Sequence, residues 1–327
     1  MAVKPTQEPG YGQAVFDPGH RSKLAYQAAE AMAKGLDRAV RLGLSVEFDE
    51  YFLPLKPGDL CSVQAMTGHG KSSILQCVAN NVAKRITESN RDECVLVVSW
   101  EQTVEEAGLV DIGKRSGYST SEFARGQVTD WERVFAAAVE VATVPIWYIG
   151  NSAENRRTLP PLTLPFVCEA MTWLERESKI TPALVILDHL QQIRATVERE
   201  QRRLEIADNV HRAKELALAL GCPVMLAVQA KQEVGERNIK LPGIYDGQET
   251  SVTAQVSDRV LGAWRPWKTE ELKESFKLCG RHYTVESDLL LIGVTKQRYG
   301  PDGHVFAFHE EPGKNIIGPR EDRYGEG

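Results

Sequence analysis

Residues 60–86, LCSVQAMTGHGKSSILQCVANNVAKRI, place a glycine-rich loop between two apolar segments. The first segment, 60–66, is typical of a buried strand, and the last, 72–86, is typical of a helix. The loop ends in Gly-Lys-Ser at 70–72, as phosphate-binding loops do, but Ala65 stands where their first glycine is expected. Because the loop follows a strand and opens a helix, the sequence favours a nucleotide-binding loop over a chance glycine-rich turn.

Each residue type in this loop suits a phosphate ligand. Gly68 and Gly70 let backbone N–H groups close around phosphate oxygens, and the following helix directs its positive end at the same anion. Lys71 supplies a charge for the β- and γ-phosphates, and Ser72 supplies a hydroxyl for Mg²⁺. Ala65 costs little if its backbone keeps a negative φ. The predicted nucleotide-binding residues are Thr67, Gly68, His69, Gly70, Lys71, Ser72 and Ser73.

The composition is that of an ordinary globular protein. The chain has 327 residues, enough for one large domain or two small ones, with 42% hydrophobic and 26% charged residues. The net charge of −6 argues against a surface coated in positive charge, although one local basic channel would still bind nucleic acid.

Three features predict a cytoplasmic protein without a membrane span. No run of residues is long and apolar enough to cross a bilayer. The N-terminal stretch MAVKPTQEPGYG lacks the apolar core of a secretory signal. The six cysteines form no Cys-x-x-Cys pair, which favours reduced, partly buried thiols over disulfides or zinc ligands.

Strand and helix patterns alternate along the chain, which predicts an α/β fold with a mostly parallel central sheet flanked by helices. The segment ALVILD (183–188) is almost continuously apolar, as expected for a strand covered on both faces. The predicted strands are 60–66, 93–100, 144–150, 183–188, 222–229, 259–264, 289–298 and an edge hairpin strand at 304–310. The predicted helices are 72–86, 165–178 and 204–221, with a mostly helical stretch at 103–142.

The N-terminal residues differ from the rest of the chain. Residues 1–20 are rich in Pro, Gly and polar residues, which predicts a flexible arm. Residues 21–42 predict a helix with an apolar stripe. The stripe consists of Leu24, Ala28, Ala31, Met32 and Leu36. Such a helix packs either on its own domain or on a neighbouring subunit, and the residues leave both possibilities open.

Asp188 and Glu101 lie at the ends of two predicted strands, where α/β proteins bind ligands. A carboxylate at position 188 can hold the Mg²⁺ shell through water, although Asp also commonly caps a helix. With a phosphate loop upstream, the metal role is favoured. Glu101 can polarise a water aimed at the γ-phosphate, but on its own it is better explained as a surface glutamate at the start of a helix.

Two more strand ends carry polar groups. Gln229, at the end of PVMLAVQ, can contact the γ-phosphate and report its presence, or simply lie in solvent. Lys296 and Arg298 follow LLLIGVT. Because Lys71 already serves this chain's own site, these two cations can act in trans on a neighbour's nucleotide. An ordinary charged strand end explains them as well.

Six segments in this order resemble the C-terminal motor domain of DnaB-type replicative helicases, a RecA-like P-loop ATPase. The pair DHLQQI and KQRYGP is specific to this family, whereas the phosphate loop is not. The family's loop often begins with Ala, so Ala65 is a family feature. The segments lie between roughly residues 45 and 310 and are PGDLCSVQAMTGHGKSS, VLVVSWEQTVEE, ALVILDHLQQI, RRLEIADNVHRAKELALALGCPVMLAVQAKQ, SVTAQVSDRVLGAWR and GVTKQRYGPDGHV.

The resemblance implies an active ATPase that uses ATP and Mg²⁺. It also implies a homo-hexamer with nucleotides at its subunit interfaces, acting as a helicase or translocase on single-stranded DNA in replication. The implied roles are phosphate and Mg²⁺ binding for Lys71 and Ser72, catalytic base for Glu101, Walker B acid for Asp188, γ-phosphate sensor for Gln229, and trans-acting fingers for Lys296 and Arg298.

The chain departs from the family pattern in several places. We expect the family's N-terminal domain, which meets primase, to be missing. The sequence then predicts an arm and linker-type helix at 1–44, a motor domain at 45–312 and a tail at 313–327. This minimal form predicts a phage or plasmid origin and leaves the loader or primase partner open. His189 stands where the family usually has Tyr.

The segment LPGIYDGQETSV (241–252) is less basic than the family's DNA-contacting loop. Candidate DNA contacts therefore shift to the segments after strands 183–188 and 222–229, which would face the pore of a ring. Their cations are Arg194, Arg199, Arg202, Arg203, Lys231, Arg237 and Lys240. A solvated charged surface is the competing explanation for each of them.

Two other functions fit parts of the pattern. A RecA- or RadA-like recombination or regulatory ATPase would form filaments or switch assemblies, and the arm at 1–20 would then reach the next subunit. A metabolic P-loop kinase fits poorly, because no lid or acceptor-substrate motif is evident and Lys296 and Arg298 would have no task.

Overall fold

The chain is described from a computed structural model, which covers residues 16–34, 38–155, 157–193, 202–248, 251–311 and 316–320. These residues form two compact units, which divide between Arg38 and Ala39. The smaller unit contributes one helix, and the larger unit contains the sheet and the other helices.

The smaller unit contains helix α1, Pro18–Ala33. The Asp17 carboxylate caps its start by accepting hydrogen bonds from two backbone N–H groups of the first turn. The described members of the predicted apolar stripe, Leu24, Ala28, Ala31 and Met32, all lie on this helix. The predicted end of the helix at residue 42 is wrong, because Val40 is extended and pairs with Leu55 in an antiparallel bridge. Val40 packs in the core of the larger unit, and such packing overrides helix propensity.

The helices of the larger unit lie close to the predicted ones. The helical stretch predicted at 103–142 is divided into three helices, and two of these begin with a capping box. The α-helices are α2 Val46–Tyr51, α3 Lys71–Glu88, α4 Val104–Ser116, α5 Thr120–Ala124, α6 Trp131–Val141, α7 Leu164–Ser178, α8 Arg202–Leu220 and α9 Val252–Val256. Short 3-10 turns lie at Leu190–Gln192, Gln232–Glu236 and Pro266–Lys268.

Nine strands form one sheet in the order β11-β10-β9-β6-β1-β5-β4-β2-β3. The six strands from β6 to β3 are parallel, and β9, β10 and β11 are antiparallel to their neighbours. The strands are β1 Leu60–Ala65, β2 Glu93–Ser99, β3 Ile146–Ile149, β4 Thr181–Asp188, β5 Val224–Gln229, β6 Arg259–Trp264, β7 Ser275–Leu278, β8 Arg281–Thr284, β9 Leu289–Gln297, β10 Val305–Glu311 and β11 Ile316–Pro319. The predicted α/β class with a mostly parallel sheet is confirmed.

Two features of the sheet differ from the prediction. β10 does form a hairpin with β9, but it is not an edge strand, because β11 pairs with its other side. The pair β7–β8 forms a separate two-stranded sheet between β6 and β9 along the chain. Both β11 and the β7–β8 pair consist of four-residue strands, which are too short to show a period along the sequence.

Helices cover both faces of the sheet. Ile74 and Val78 of α3 pack on one face, in a cluster that includes Val63 of β1. Val167 of α7 and Val210 of α8 pack on the opposite face. Because apolar side chains alternate into these two cores, the parallel strands are apolar along most of their length. In the part of the chain that the structure describes, no helix combines the length and apolar character of a membrane span.

Candidate nucleotide site

The glycine-rich loop joins the end of β1 to the start of α3. Gly68 and Gly70 have φ values of +77° and +94°, in the left-handed region that favours glycine. A Cβ on Gly68 would lie 2.9 Å from Nζ of Lys268, so a larger residue would displace that side chain. Ala65, by contrast, is the last residue of β1 and pairs with strands on both sides. Its extended backbone does not need glycine.

Lys71 is buried at the base of this loop. Its Nζ donates hydrogen bonds to the carbonyl oxygens of Ala65 (3.0 Å) and Met66 (3.3 Å). Burial lowers the pKa of Lys71 to about 8, while the nearby Asp188 and Glu101 carboxylates act in the opposite direction. Burial thus outweighs the two carboxylates, and the ammonium group lies against two backbone carbonyls at the N-terminus of α3.

Ser72 and Asp188 bring two hard oxygen donors together. Ser72 Oγ donates to Asp188 Oδ1 at 3.3 Å. Asp188 ends β4 and is buried, and burial raises the pKa of its carboxyl group. The helix-cap alternative is not observed, because the residue that precedes the 3-10 turn Leu190–Gln192 is His189. A hydroxyl and a carboxylate in contact are a donor set that fits Mg²⁺.

Glu101 lies two residues beyond the end of β2 and faces a cleft beside the phosphate loop. His189 Nε2 is 2.6 Å from Glu101 Oε2. The cleft has a volume of about 250 Å³ and is lined by the phosphate loop, Glu101, His189 and Arg265. The structure thus brings Glu101, Asp188 and the phosphate loop together, as their positions at strand ends predict.

Gln229 also lies at this edge of the sheet. Its Nε2 donates to Thr67 Oγ1 of the phosphate loop at 3.0 Å. Its backbone N–H donates to Oε1 of Gln191, in the segment after β4, at 3.3 Å. Gln229 therefore links the loop to the residues that follow Asp188.

Arg265 and Glu310 were not predicted as site residues. Arg265 follows β6, forms a buried ion pair with Glu310 of β10, and donates to the Gly68 carbonyl at 2.6 Å and to Ser73 Oγ at 3.0 Å. Losing one partner of such a buried pair typically costs about 3–5 kcal/mol of stability. The two residues are 45 positions apart, so no local pattern indicates the pair.

His69, inside the loop, is neutral at physiological pH. Burial lowers its pKa to about 4, and the nearby cations Lys268, Arg265 and Lys71 contribute to the same shift. Its Nδ1 accepts a hydrogen bond from the Arg265 backbone N–H at 3.2 Å. His69 therefore joins the loop to the end of β6 without adding charge to the phosphate site.

Lys296 and Arg298 lie near the amino ends of the parallel strands, whereas the phosphate loop lies at their carboxyl ends. β9 is antiparallel to β6, and Gln297 pairs with Arg259, whereas Ala65 pairs with Ala263. Four residues of strand correspond to about 13 Å, so neither cation is brought to its own loop. Two backbone carbonyls accept hydrogen bonds from Lys296 Nζ, at 2.6 and 2.7 Å. Half-exposed Arg298 pairs with Asp258 at 2.8 Å.

The candidate DNA-contacting residues have varied surroundings. Arg202 is half-exposed and donates to Glu205 Oε2 at 3.2 Å, and its neighbour Arg203 is exposed. Lys231 donates to the Tyr245 carbonyl at 2.9 Å, and Arg237 forms two hydrogen bonds with Asp246. Lys240 pairs with Glu270, and its side chain is only 14% exposed. The predicted contacts Arg194 and Arg199 lie outside the described residues.

The nine-stranded sheet, the phosphate loop and the carboxylates at the strand ends define a P-loop protein of the RecA-like class. The family model "DnaB-like helicase C terminal domain" matches residues 41–314. The chain belongs to this family.

Two solved structures have a similar fold. One is an ATPase domain with a TM-score of 0.75 and 16% identity. The match covers 93% of this chain and 100% of that domain. The other is "The Structure Of A DnaB-Like Replicative Helicase And Its Interactions With Primase". It also has a TM-score of 0.75 and 16% identity, and the match covers 94% of this chain and 68% of that one. At this identity, the likeness supports the fold.

Curated relatives match over most of this chain but only part of their own. A replicative DNA helicase DnaB from Pasteurella multocida (strain Pm70) is 26% identical over 269 residues, which are 80% of this chain and 52% of the relative. The Mycoplasma genitalium DnaB (strain ATCC 33530 / DSM 19775 / NCTC 10195 / G37) is 27% identical over 289 residues, or 84% and 57%. The chain spans about half the length of the curated relatives it matches.

Proposed function

We propose that the protein is an ATP-hydrolysing DNA helicase or translocase that moves along single-stranded DNA in replication. One observation carries the proposal. The carboxyl ends of four adjacent strands, β1, β5, β4 and β2, bring four groups around the phosphate loop: Lys71 and Glu101 line its cleft, Asp188 contacts Ser72, and Gln229 contacts Thr67. Together these groups suit phosphoryl transfer to water.

Each residue has a chemical task in this proposal. Lys71 and the loop N–H groups bind the polyphosphate, and Ser72 and Asp188 hold Mg²⁺. When bound, Mg²⁺ neutralises charge that develops on the phosphoryl oxygens. Glu101 accepts a proton from the attacking water. Gln229, which contacts Thr67, transmits the state of the cleft to the segment after β4.

Lys296 and Arg298 support an oligomer. Since about 13 Å of β6 separates their edge of the sheet from the phosphate loop, we assign them to the nucleotide of a neighbouring subunit. Arg298 is a better finger than Lys296. The Arg298 side chain is half-exposed, whereas the Lys296 ammonium group already donates to two backbone carbonyls. A ring with one heterologous interface repeated six times would supply a finger to every site.

The segments after β4 and β5 leave the sheet at the same edge, because these strands are parallel neighbours. We propose that their cations contact the DNA phosphates. Lys240 is the weakest candidate, since Glu270 already pairs with its mostly buried ammonium group. The proposed contacts are Arg194, Arg199, Arg202, Arg203, Lys231 and Arg237.

The domain boundaries and the cellular setting are also proposals. We assign residues 1–44 to an arm and linker-type helix, 45–312 to the motor and 313–327 to a tail. We propose the cytoplasm of a bacterial or phage-infected cell, and a phage or plasmid as the source. A primase or a helicase loader is the partner class to test.

We further propose that α1 docks on a neighbouring subunit. No residue of α1 is buried, and its apolar side chains Leu24 and Met32 are exposed. Helix α6 exposes a matching apolar stripe at four-residue spacing, formed by Trp131, Phe135 and Val139. The α6 of one subunit and the α1 of another would cover these apolar surfaces together.

A single charge in the α6 stripe should prevent assembly. Phe135 is 71% exposed, so Phe135→Lys leaves the core intact but places an ammonium group in the proposed contact. We expect the hexamer to dissociate and DNA-stimulated hydrolysis to fall about tenfold or more. The measurement is light scattering after size-exclusion chromatography. The control is Leu218→Lys on α8, at 63% exposure. Hexamers that persist in Phe135→Lys would refute the docking surface.

The function itself is tested by one experiment. The ATPase rate is measured with and without single-stranded DNA, on protein imaged by negative-stain microscopy with Mg²⁺ and an ATP analogue. Sixfold rings with DNA-stimulated hydrolysis are expected. Filaments, or hydrolysis indifferent to DNA, would instead favour the RecA- or RadA-like alternative.

A further inference from the structure

We infer that His189 is a positioning residue that orients the Glu101 carboxylate for its reaction with water. The inference rests on the proposed role of Glu101 as the catalytic base. His189 has no chemical task of its own in that mechanism. It is the contact between the two side chains that gives His189 a function.

The contact between the two side chains is short. His189 Nε2 lies 2.6 Å from Glu101 Oε2, and 3.8 Å from Oδ1 of Asp188. A carboxylate only accepts hydrogen bonds, so an imidazole N–H on Nε2 would be the donor between these two groups. The Glu101 side chain is 56% exposed, whereas that of His189 is only 18% exposed. An exposed glutamate thus contacts a mostly buried partner.

The backbone of His189 is held in an unusual conformation. Its φ of 72° and ψ of 88° lie in the left-handed region, which residues other than glycine rarely adopt. The residue sits between Asp188 and the 3-10 turn Leu190–Gln192, and its carbonyl accepts a hydrogen bond from Gln192 N–H at 3.0 Å. Leu190 is completely buried and fixes that turn. Such conformations persist where the surrounding fold enforces them, and they cluster at active sites.

The arrangement orients Glu101 without blocking it. His189 makes its close contact with Oε2 of Glu101. No described residue hydrogen-bonds to Oε1, so this oxygen keeps its capacity to accept a proton from water. Anchoring one oxygen of the Glu101 carboxylate increases the fraction of time that its other oxygen is positioned to accept a proton from water. The contact should therefore affect kcat and leave nucleotide affinity unchanged.

The test compares His189→Ala with His189→Gln in the oligomeric protein. Both variants place a non-glycine residue at the same positive φ, so the backbone strain is similar in the two. Only Gln supplies an N–H near the position of Nε2. We expect kcat for ATP hydrolysis to fall about tenfold in His189→Ala, with KM unchanged, and to recover mostly in His189→Gln. The control is His309→Ala on β10, which removes a His–carboxylate pair of the same 2.6 Å length, to Asp288.

A second background separates this inference from the role of Glu101. In a Glu101→Gln protein, adding His189→Ala should cause no further loss in single-turnover hydrolysis, because His189 acts only through Glu101. An additional tenfold loss, or an unchanged or increased kcat in His189→Ala alone, would overturn the inference. If Glu101→Gln alone hydrolyses ATP at the normal rate, the assignment of the base fails, and the role of His189 fails with it.

Discussion

ATP hydrolysis should fall about 10²–10³-fold when Lys71 is replaced by alanine. The Lys71 ammonium group is buried between the carbonyls of Ala65 and Met66 and the carboxylates of Asp188 and Glu101. Removing it takes away the charge that the site directs at the transferred phosphoryl group. The measurement is the steady-state ATPase rate at saturating ATP and Mg²⁺, with nucleotide affinity measured separately.

Lys84→Ala is the matched control for this variant. Lys84 lies on the same helix, α3, but is exposed near its far end, where it forms a weak contact with Glu88 at 3.8 Å. Exposed pairs of this kind contribute little, so the control should keep normal hydrolysis. Normal hydrolysis by Lys71→Ala would mean that this loop is not the catalytic phosphate site.

Arg298→Ala should abolish hydrolysis, by about 10³-fold, and leave ATP binding intact. The reason is geometric: Arg298 lies at the opposite end of the strands from its own phosphate loop, so its proposed target is a nucleotide in another subunit. Hydrolysis and the binding of a fluorescent ATP analogue are measured on the same preparation. Arg176→Ala, which removes an exposed arginine paired with Glu177, is the control. Equal activity of Arg298→Ala and wild type would defeat the trans assignment.

Mixing two inactive variants gives the more decisive form of this experiment. Arg298→Ala subunits keep Glu101, and Glu101→Ala subunits keep Arg298. In a randomly mixed ring, about one quarter of the interfaces combine an intact base with an intact finger. The mixture should therefore regain hydrolysis that neither variant shows alone. Failure to regain any activity, in assemblies shown to contain both variants, would count against shared sites.

The parts of the site that the sequence predicts are those with a local signal. The phosphate loop has a residue pattern, and Asp188, Glu101 and Gln229 each follow an apolar strand. Parallel strands end at one edge, so these side chains are expected to meet there even without knowledge of the strand order. The structure gives each of them a contact near the phosphate loop: Asp188 with Ser72, Gln229 with Thr67, and Glu101 with His189.

The contacts that were missed join distant segments or depend on an unusual backbone. Arg265 and Glu310 become partners only because β6 and β10 both flank β9. His189, which contacts Glu101, has a left-handed backbone, and no sequence rule indicates such a residue at a histidine after a strand. The predicted helix 21–42 continued too far because Val40 is held in the core by tertiary packing.

Strand β6 connects two contacts that would belong to different nucleotides. At its carboxyl end, Arg265 grips the phosphate loop of its own subunit. Just before its first residue, Asp258 holds Arg298, the proposed finger for the next subunit. β6 is buried along its whole length and hydrogen-bonded on both sides, so it holds the two sites at a fixed separation. In the proposed ring, a shift of the loop on nucleotide release would move β6 and withdraw the finger from the neighbouring site. The order in which subunits hydrolyse ATP would then be coupled through a strand six residues long.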